Sequence, residues 1–185
     1  MQIRYRRFNM KNKIKILILL SSIILLGLFY YKSQFIIVKP HNKLGHVEWK
    51  TDVPSIELYY AILKYSKEFD IPTEYAFGIA YVETGYQGPL DFTYDHRQIS
   101  SAGALGPMQV MPSTANWINK TKVDKSIVLN DIDFNVRTSM KLLRQLKDKY
   151  NSWPIVFGYY NTGYPVINDY ALKVYNKRYT WISKI

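Results

Sequence analysis

The sequence predicts an all-α domain behind a single N-terminal membrane-spanning helix. Apolar residues recur at the helical spacing i, i+3, i+4, i+7 in successive stretches from Pro54 to Tyr175. No stretch alternates apolar and polar residues in the manner of a half-buried strand, and there is no internal repeat. An apolar run from Ile16 to Tyr31, ILILLSSIILLGLFYY, follows a basic cluster at the start of the chain.

That first segment is a separate physical object. Arg4, Arg6, Arg7, Lys11, Lys13 and Lys15 precede the apolar run. Ile14 to Tyr31 carries Lys15 as its only charge, near one end, where its stem can snorkel to the headgroups. About 18 such residues just suffice to span a bilayer. Tyr30 and Tyr31 stand where an interfacial aromatic anchor belongs. The basic flank places the N-terminus in the cytoplasm and the rest of the chain outside. Tyr30 to Gln34 offers no small-x-small cleavage site, which favours an uncleaved anchor over a signal peptide. The predicted organisation is a basic cytoplasmic tail at 1–13, an anchor at 14–31, a linker at 32–53 and a folded domain at 54–185. The expected location is the cytoplasmic (inner) membrane, with the domain extracytoplasmic.

At 185 residues, 48% apolar and 16% aromatic, the chain is one folded domain with an appendage. It has no cysteine, which excludes a disulfide framework, a thiol nucleophile and a thiolate metal site. Beyond the anchor, 19 basic residues face 14 acidic ones, a net of +5. That excess suits an anionic polymer or membrane surface and is too scattered to indicate nucleic acid.

The elements follow in order. Residues 32–53 contain Pro40, His41, Gly45 and His46, show no period, and read as a tether with solvated histidines. Pro54 and Ser55 open a helix with the stripe Ile56, Tyr59, Tyr60, Leu63. Asp70-Ile71-Pro72 breaks it, and Pro72 starts the next helix near its first position. In that second helix Ala76, Ile79, Ala80 and Glu83 share a face, and Gly85 stops it. Glu83 thus falls in the last turn on a face otherwise bound for the core. Burial there and the negative end of the helix dipole both raise a carboxyl pKa, as a general acid requires.

Residues 87–101 read as a loop. In SSAGALGPMQVMPSTA, residues 100–115, Gly103 and Gly106 permit tight turns and Ser113-Thr114 offers a helix cap. Asp131 or Asp133 caps a long helix with Ile132, Val136, Met140 and Leu143 inward, widened by Leu142, Leu146 and Tyr150. Trp153-Pro154 starts an apolar helix that ends at Asn161-Thr162-Gly163. A last helix, about Pro165 to Tyr175, packs through Val166, Tyr170 and Val174.

Three motifs now stand in order: Tyr81-Val82-Glu83-Thr84-Gly85, then Gly103-Ala104-Leu105-Gly106-Pro107-Met108-Gln109-Val110-Met111-Pro112, then Tyr160-Asn161-Thr162-Gly163. The set resembles the SLT family of lytic transglycosylases, which have a lysozyme-like fold. The resemblance covers residues 54 to about 176. It implies that Glu83 is the single catalytic acid, that Gln109 and Met111 line the sugar groove, and that Ser100 stands ahead of the glycines beside it. Tyr160 and Asn161 match the final motif, where the tyrosine is expected to reach the catalytic Glu. Thr84, Pro107 and Thr162 stand where the family usually has Ser, Leu and Ala; none of the three removes a reacting group.

The substrate implied is peptidoglycan, cut between N-acetylmuramic acid and N-acetylglucosamine, with no metal or cofactor. One carboxylate would act as acid and then as base, closing a 1,6-anhydro ring. Two alternatives stay open. Asp91 or Asp95 could serve as the second carboxylate of an inverting, goose-type-like lysozyme. Otherwise the domain could be a non-catalytic glycan-binding component of secretion or conjugation machinery. The expected partners are glycan strands, the membrane through residues 14–31 and cell-envelope machinery.

Overall fold

The computed structural model describes Ser21, residues 35–37 and residues 49–182. The predicted tail at 1–13 lies outside the described residues, as does the predicted anchor at 14–31 apart from Ser21, which is helical. Among the described residues no helix is long and apolar enough to cross a membrane.

The chain divides into two units, residues 1–51 and 52–185. In the first, β1 (Phe35–Ile37) pairs antiparallel with β2 (Trp49–Thr51), Ile36 standing opposite Lys50. The stretch read as a periodless linker therefore holds a short strand pair. Three-residue strands are too short to show alternation, although their β-branched and aromatic residues favour a pleated conformation.

The second unit is built from helices, with a long irregular segment between residues 85 and 111. Its helices are α1 (Pro54–Glu68), α2 (Thr73–Thr84), α3 (Pro112–Asn119), α4 (Lys125–Asn130), α5 (Ile132–Tyr150), α6 (Trp153–Thr162) and α7 (Asp169–Ile182). The centre is α2. Tyr75, Ala76, Phe77, Gly78, Ile79 and Ala80 are all buried, so apolar residues face neighbours on every side. Its most extensive partner is α7, and at Gly78 the two come so close that a Cβ would lie 3.1 Å from the Val174 carbonyl oxygen. α1 packs on α5, and α6 packs on α7. Leu58, Ile62, Ile79, Val136, Met140, Leu143, Phe157 and Val174 join in one core, all at 0% exposure. Each such side chain contributes roughly 1.5–3 kcal/mol by leaving water.

The predicted stripe of α1 holds at Ile56, which is buried, and is misphased beyond it. Tyr60 is 38% exposed and Tyr59 and Leu63 are half-buried, while Leu58, Ala61, Ile62 and Tyr65 face inward. The helix has apolar residues on two faces, and the contact with α5 selects one. The Tyr65 hydroxyl and the Lys64 ammonium both bond the Asp133 carboxylate, which fixes that rotation. Asp133 is thereby committed, and Asp131 caps α5, its Oδ1 accepting the Phe134 N–H at 2.8 Å. Ser113 and Thr114 do not cap: Met111 is the N-cap of α3, Pro112 opens it, and no side chain caps it. α4 was not predicted, since KSIVLN is too short to show a helical period. α7 starts at Asp169 rather than Pro165 because the Asn168 Oδ1 takes the Ala171 N–H at 2.9 Å, which sets the helix start there. Val166 is accordingly outside the helix and 43% exposed.

Candidate active site

Glu83 lies in the last turn of α2, as its spacing predicts. Gly85 ends the helix with φ 73°, a left-handed conformation glycine adopts freely, and its N–H bonds the Tyr81 carbonyl. The helix thus stops one residue after Glu83, leaving that carboxyl half-buried at the edge of an otherwise buried element. Desolvation pushes Glu83 up from 4.5 to about 7. A hydrogen bond from Tyr170, which favours the carboxylate, pulls the other way. The Tyr170 hydroxyl donates to Glu83 Oε1 at 2.5 Å.

This bond corrects one expectation. The Tyr160 hydroxyl is not hydrogen-bonded to Glu83. It donates to the Met108 carbonyl at 2.6 Å and shares a 2.8 Å bond with the Ser139 hydroxyl. The close packing of α7 along α2 brings Tyr170 over the carboxyl instead. The sequence reading placed Tyr170 only as a packing residue of the last helix, and no quoted motif contains it.

Thr84, next to Glu83, gathers the surrounding segments. Its buried hydroxyl donates to the Ala80 and Pro107 carbonyls, both at 3.0 Å, and meets the Tyr94 hydroxyl at 2.8 Å. A serine at this position would carry its hydroxyl on the same atom and could take up the same task. Pro107 fits its place. It occupies the second position of a tight turn closed by the Gln109 N–H on the Gly106 carbonyl at 3.0 Å, a position for which proline's fixed φ is suited.

The glycine-rich segment is braced from α5. Asn135 is fully buried, donates to the Leu105 and Val128 carbonyls at 2.8 Å, and accepts the Met108 N–H at 3.0 Å. Gly106 has φ 74°, and a Cβ there would lie 2.5 Å from the Asn135 amide nitrogen. Single bridges pair Leu105 with Ile99 and with Val110. Sequence reasoning missed Asn135, which sits beside Val136 on α5 and reads as an ordinary helix residue.

Gln109 has φ 48°, a left-handed backbone uncommon for a side chain of its kind. Its amide donates to the Gly106 and Gln98 carbonyls at 2.9 and 3.1 Å. Met111 is 37% exposed at the start of α3. Asn161 is exposed at the end of α6, and its Oδ1 accepts the Asn168 side-chain N–H at 3.0 Å. Since Asn168 also starts α7, Asn161 helps set the helix that carries Tyr170. The Ser100 hydroxyl accepts the Ala104 N–H at 3.0 Å and shapes the turn before Gly106.

Neither loop aspartate bonds Glu83. Asp91 Oδ1 accepts the Thr93 hydroxyl at 3.0 Å, and exposed Asp95 accepts the Arg97 N–H at 2.9 Å. Both close local turns. Two surface concavities, one against Asp70, Arg144 and Trp153 and the other against Glu57, Ser126 and Asp131, include none of the site residues named above. Among the described residues no three His, Asp or Glu side chains are grouped to hold a metal ion.

Residues 60–182, Glu83 and all three motifs included, match the family described as the transglycosylase SLT domain. The chain belongs to this family. Solved structures with a similar fold include an inactive mutant of the lytic transglycosylase Slt from Pseudomonas aeruginosa, with a TM-score of 0.55 and 17% identity. That match covers 68% of this chain and 24% of the other. The 70 kDa soluble lytic transglycosylase of Escherichia coli is 22% identical, with a TM-score of 0.49, over 64% of this chain and 19% of its own. The latter has also been solved in complex with bulgecin A. The SLT chain here thus spans about a quarter or less of the length of these relatives. No curated protein matches it. Residues 60–182 have the lysozyme-like SLT fold, and Thr84 in the first motif holds Pro107 in the second at the end of α2.

Proposed function

We propose that this SLT domain is a peptidoglycan lytic transglycosylase in which Glu83 acts as acid and then as base. The observation that carries this reading is a single half-buried carboxyl, held protonated up to about pH 7 and touched by one hydroxyl donor. Family membership supplies the substrate class, the β-1,4 bond between N-acetylmuramic acid and N-acetylglucosamine.

The chemistry follows from that carboxyl. Protonated Glu83 gives its proton to the glycosidic oxygen as the bond to the muramic acid C1 breaks, and the electron pair leaves on the N-acetylglucosamine oxygen. Charge developing at C1 is oxocarbenium-like, and the neighbouring acetamido group of the sugar stabilises it. Glu83, now a carboxylate, keeps the Tyr170 O–H as donor, an interaction strongest in this charged state. The sugar's own C6 hydroxyl attacks C1, Glu83 takes the hydroxyl proton, and the 1,6-anhydro ring closes. Glu83 ends protonated as it began, and no water is consumed. A group with this double duty works best with a pKa near the working pH.

Asp91 and Asp95 support the one-carboxylate reading, since both are engaged in their own turns. Gln109, Met111, Ser100 and Asn161 are assigned to the sugar groove, Gln109 and Met111 on the segment that Thr84, next to the acid, holds through Pro107. The segment at 14–31 is assigned to a single-pass anchor that holds the domain on the outer side of the cytoplasmic membrane. Retention of the full-length chain in the membrane pellet after alkaline extraction is expected; a shortened soluble product contradicts the anchor. For the catalytic assignment, Glu83→Gln is expected to abolish muropeptide release while glycan strands still bind. Undiminished release by that variant contradicts it.

A further inference from the structure

Gln98 lies outside every motif above, yet it bonds both halves of the site. Its side-chain amide donates to the Thr84 carbonyl at 3.0 Å and to the Asp95 carbonyl at 2.9 Å. Its own carbonyl accepts the Gln109 side-chain N–H at 3.1 Å and the Gly106 N–H at 3.0 Å. The Thr84 carbonyl belongs to the last turn of α2, where carbonyls have no partner within the helix and need one from outside. Glu83 is the residue just before it.

We propose that Gln98 is a positioning residue, whose amide sets the end of α2, and with it Glu83, in register with the segment that presents Gln109. This rests on the reading of Glu83 as the acid and deepens it. The chain between Gly85 and Gln98 contains neither helix nor strand, so the backbone alone does not fix the distance. Thr84 ties the end of α2 to Pro107 through its hydroxyl. Gln98 ties the same residue, through its carbonyl, to Gly106 and Gln109. These two links, on either side of one peptide unit, hold the acid against the sugar-lining strand of chain. The task requires a donor of this length. Glu has the shape without the N–H, and Met has the length without any donor. Reacting groups misplaced by about 1 Å lose roughly 100-fold in rate, which sets the scale of the effect.

The test uses the full chain in detergent, comparing wild type with Gln98→Met and Gln98→Glu. Thermal melts establish that each variant folds, and Gln98→Glu, being isosteric, guards against a packing defect in Gln98→Met. Both variants are expected to lose kcat on peptidoglycan by about 10-fold or more. Combining Gln98→Met with Gln109→Ala is expected to cost less than the product of the single losses, because both act on one link. A carboxyl NMR titration of Glu83 reads the same link without activity. Removing the amide leaves the Thr84 carbonyl unpaired beside Glu83, so the titration in Gln98→Met moves to higher pH. Wild-type kcat in both folded variants, independent effects at positions 98 and 109, or an unmoved titration overturns the proposal. A wild-type chain that releases no product contradicts the transglycosylase reading instead, and the titration then decides the role of Gln98.

Discussion

Tyr170 on α7 donates its hydroxyl hydrogen bond to Glu83 at the end of α2, across 2.5 Å. The two residues are 87 positions apart in sequence. A donor to a carboxylate lowers the carboxyl pKa, and burial raises it; at Glu83 burial is the larger effect and the outcome is about 7. Tyr170→Phe removes only the donor. Its expected effect is a Glu83 titration moved above 7 and a kcat lowered by roughly 100-fold or more, the scale for losing one preorganised donor. The pH–rate profile checks this: the limb assigned to Glu83 moves upward in Tyr170→Phe. Tyr160→Phe leaves that limb in place, because the Tyr160 hydroxyl serves Met108 and Ser139.

The same carboxyl makes the fold pay for its function in a pH-dependent way. The folded pKa of Glu83 is raised, so its contribution to stability is fully present below 4.5 and is lost as pH rises through about 7. The gap between those values corresponds to about 3 kcal/mol at the alkaline end. Glu83→Gln keeps an oxygen for Tyr170 and removes the charge. Denaturant titrations are therefore expected to find the variant more stable than wild type at pH 8–9, by up to about 3 kcal/mol, and close to it near pH 4. A variant less stable than wild type at pH 8 contradicts the burial of this group.

Gly158 sets the position of the segment before α7. A Cβ at this position would stand 1.6 Å from the Val166 carbonyl oxygen, which is backbone and cannot swing aside. Gly158→Ala must therefore displace the segment after α6, and with it the Asn161–Asn168 bond and the start of α7. A loss of roughly 3 kcal/mol or more is expected, on the scale of severe core overpacking. Activity should fall as well, since Tyr170 moves with α7. Thermal melts and turnover measured on the same samples check both.

How much of this was legible in the sequence depends on the range of each interaction. Glu83 and Gly85 could be read together because a helical face and its stop are local features. The stripe of α5 was legible for the same reason, and its cap was narrowed to Asp131 or Asp133, between which the bonds of Asp133 to Lys64 and Tyr65 decide. The phase of α1 was not, because two apolar faces compete and only contact with α5 chooses between them. α4 has six residues and no room for a period. The partner of Glu83 was assigned to Tyr160 through motif position, whereas the crossing of α2 and α7, allowed by Gly78, delivers Tyr170. Asn135 and Gln98 act through backbone carbonyls of distant segments, and no local pattern marks a residue of that kind.

The central claim is that one carboxyl performs both proton transfers and no water enters. Mass spectrometry of the sugars that the chain releases from purified peptidoglycan tests it most directly. The account predicts products ending in 1,6-anhydro-muramic acid, one water lighter than the reducing form. Reducing-end products would contradict it and return Asp91 or Asp95 to the role of second carboxylate.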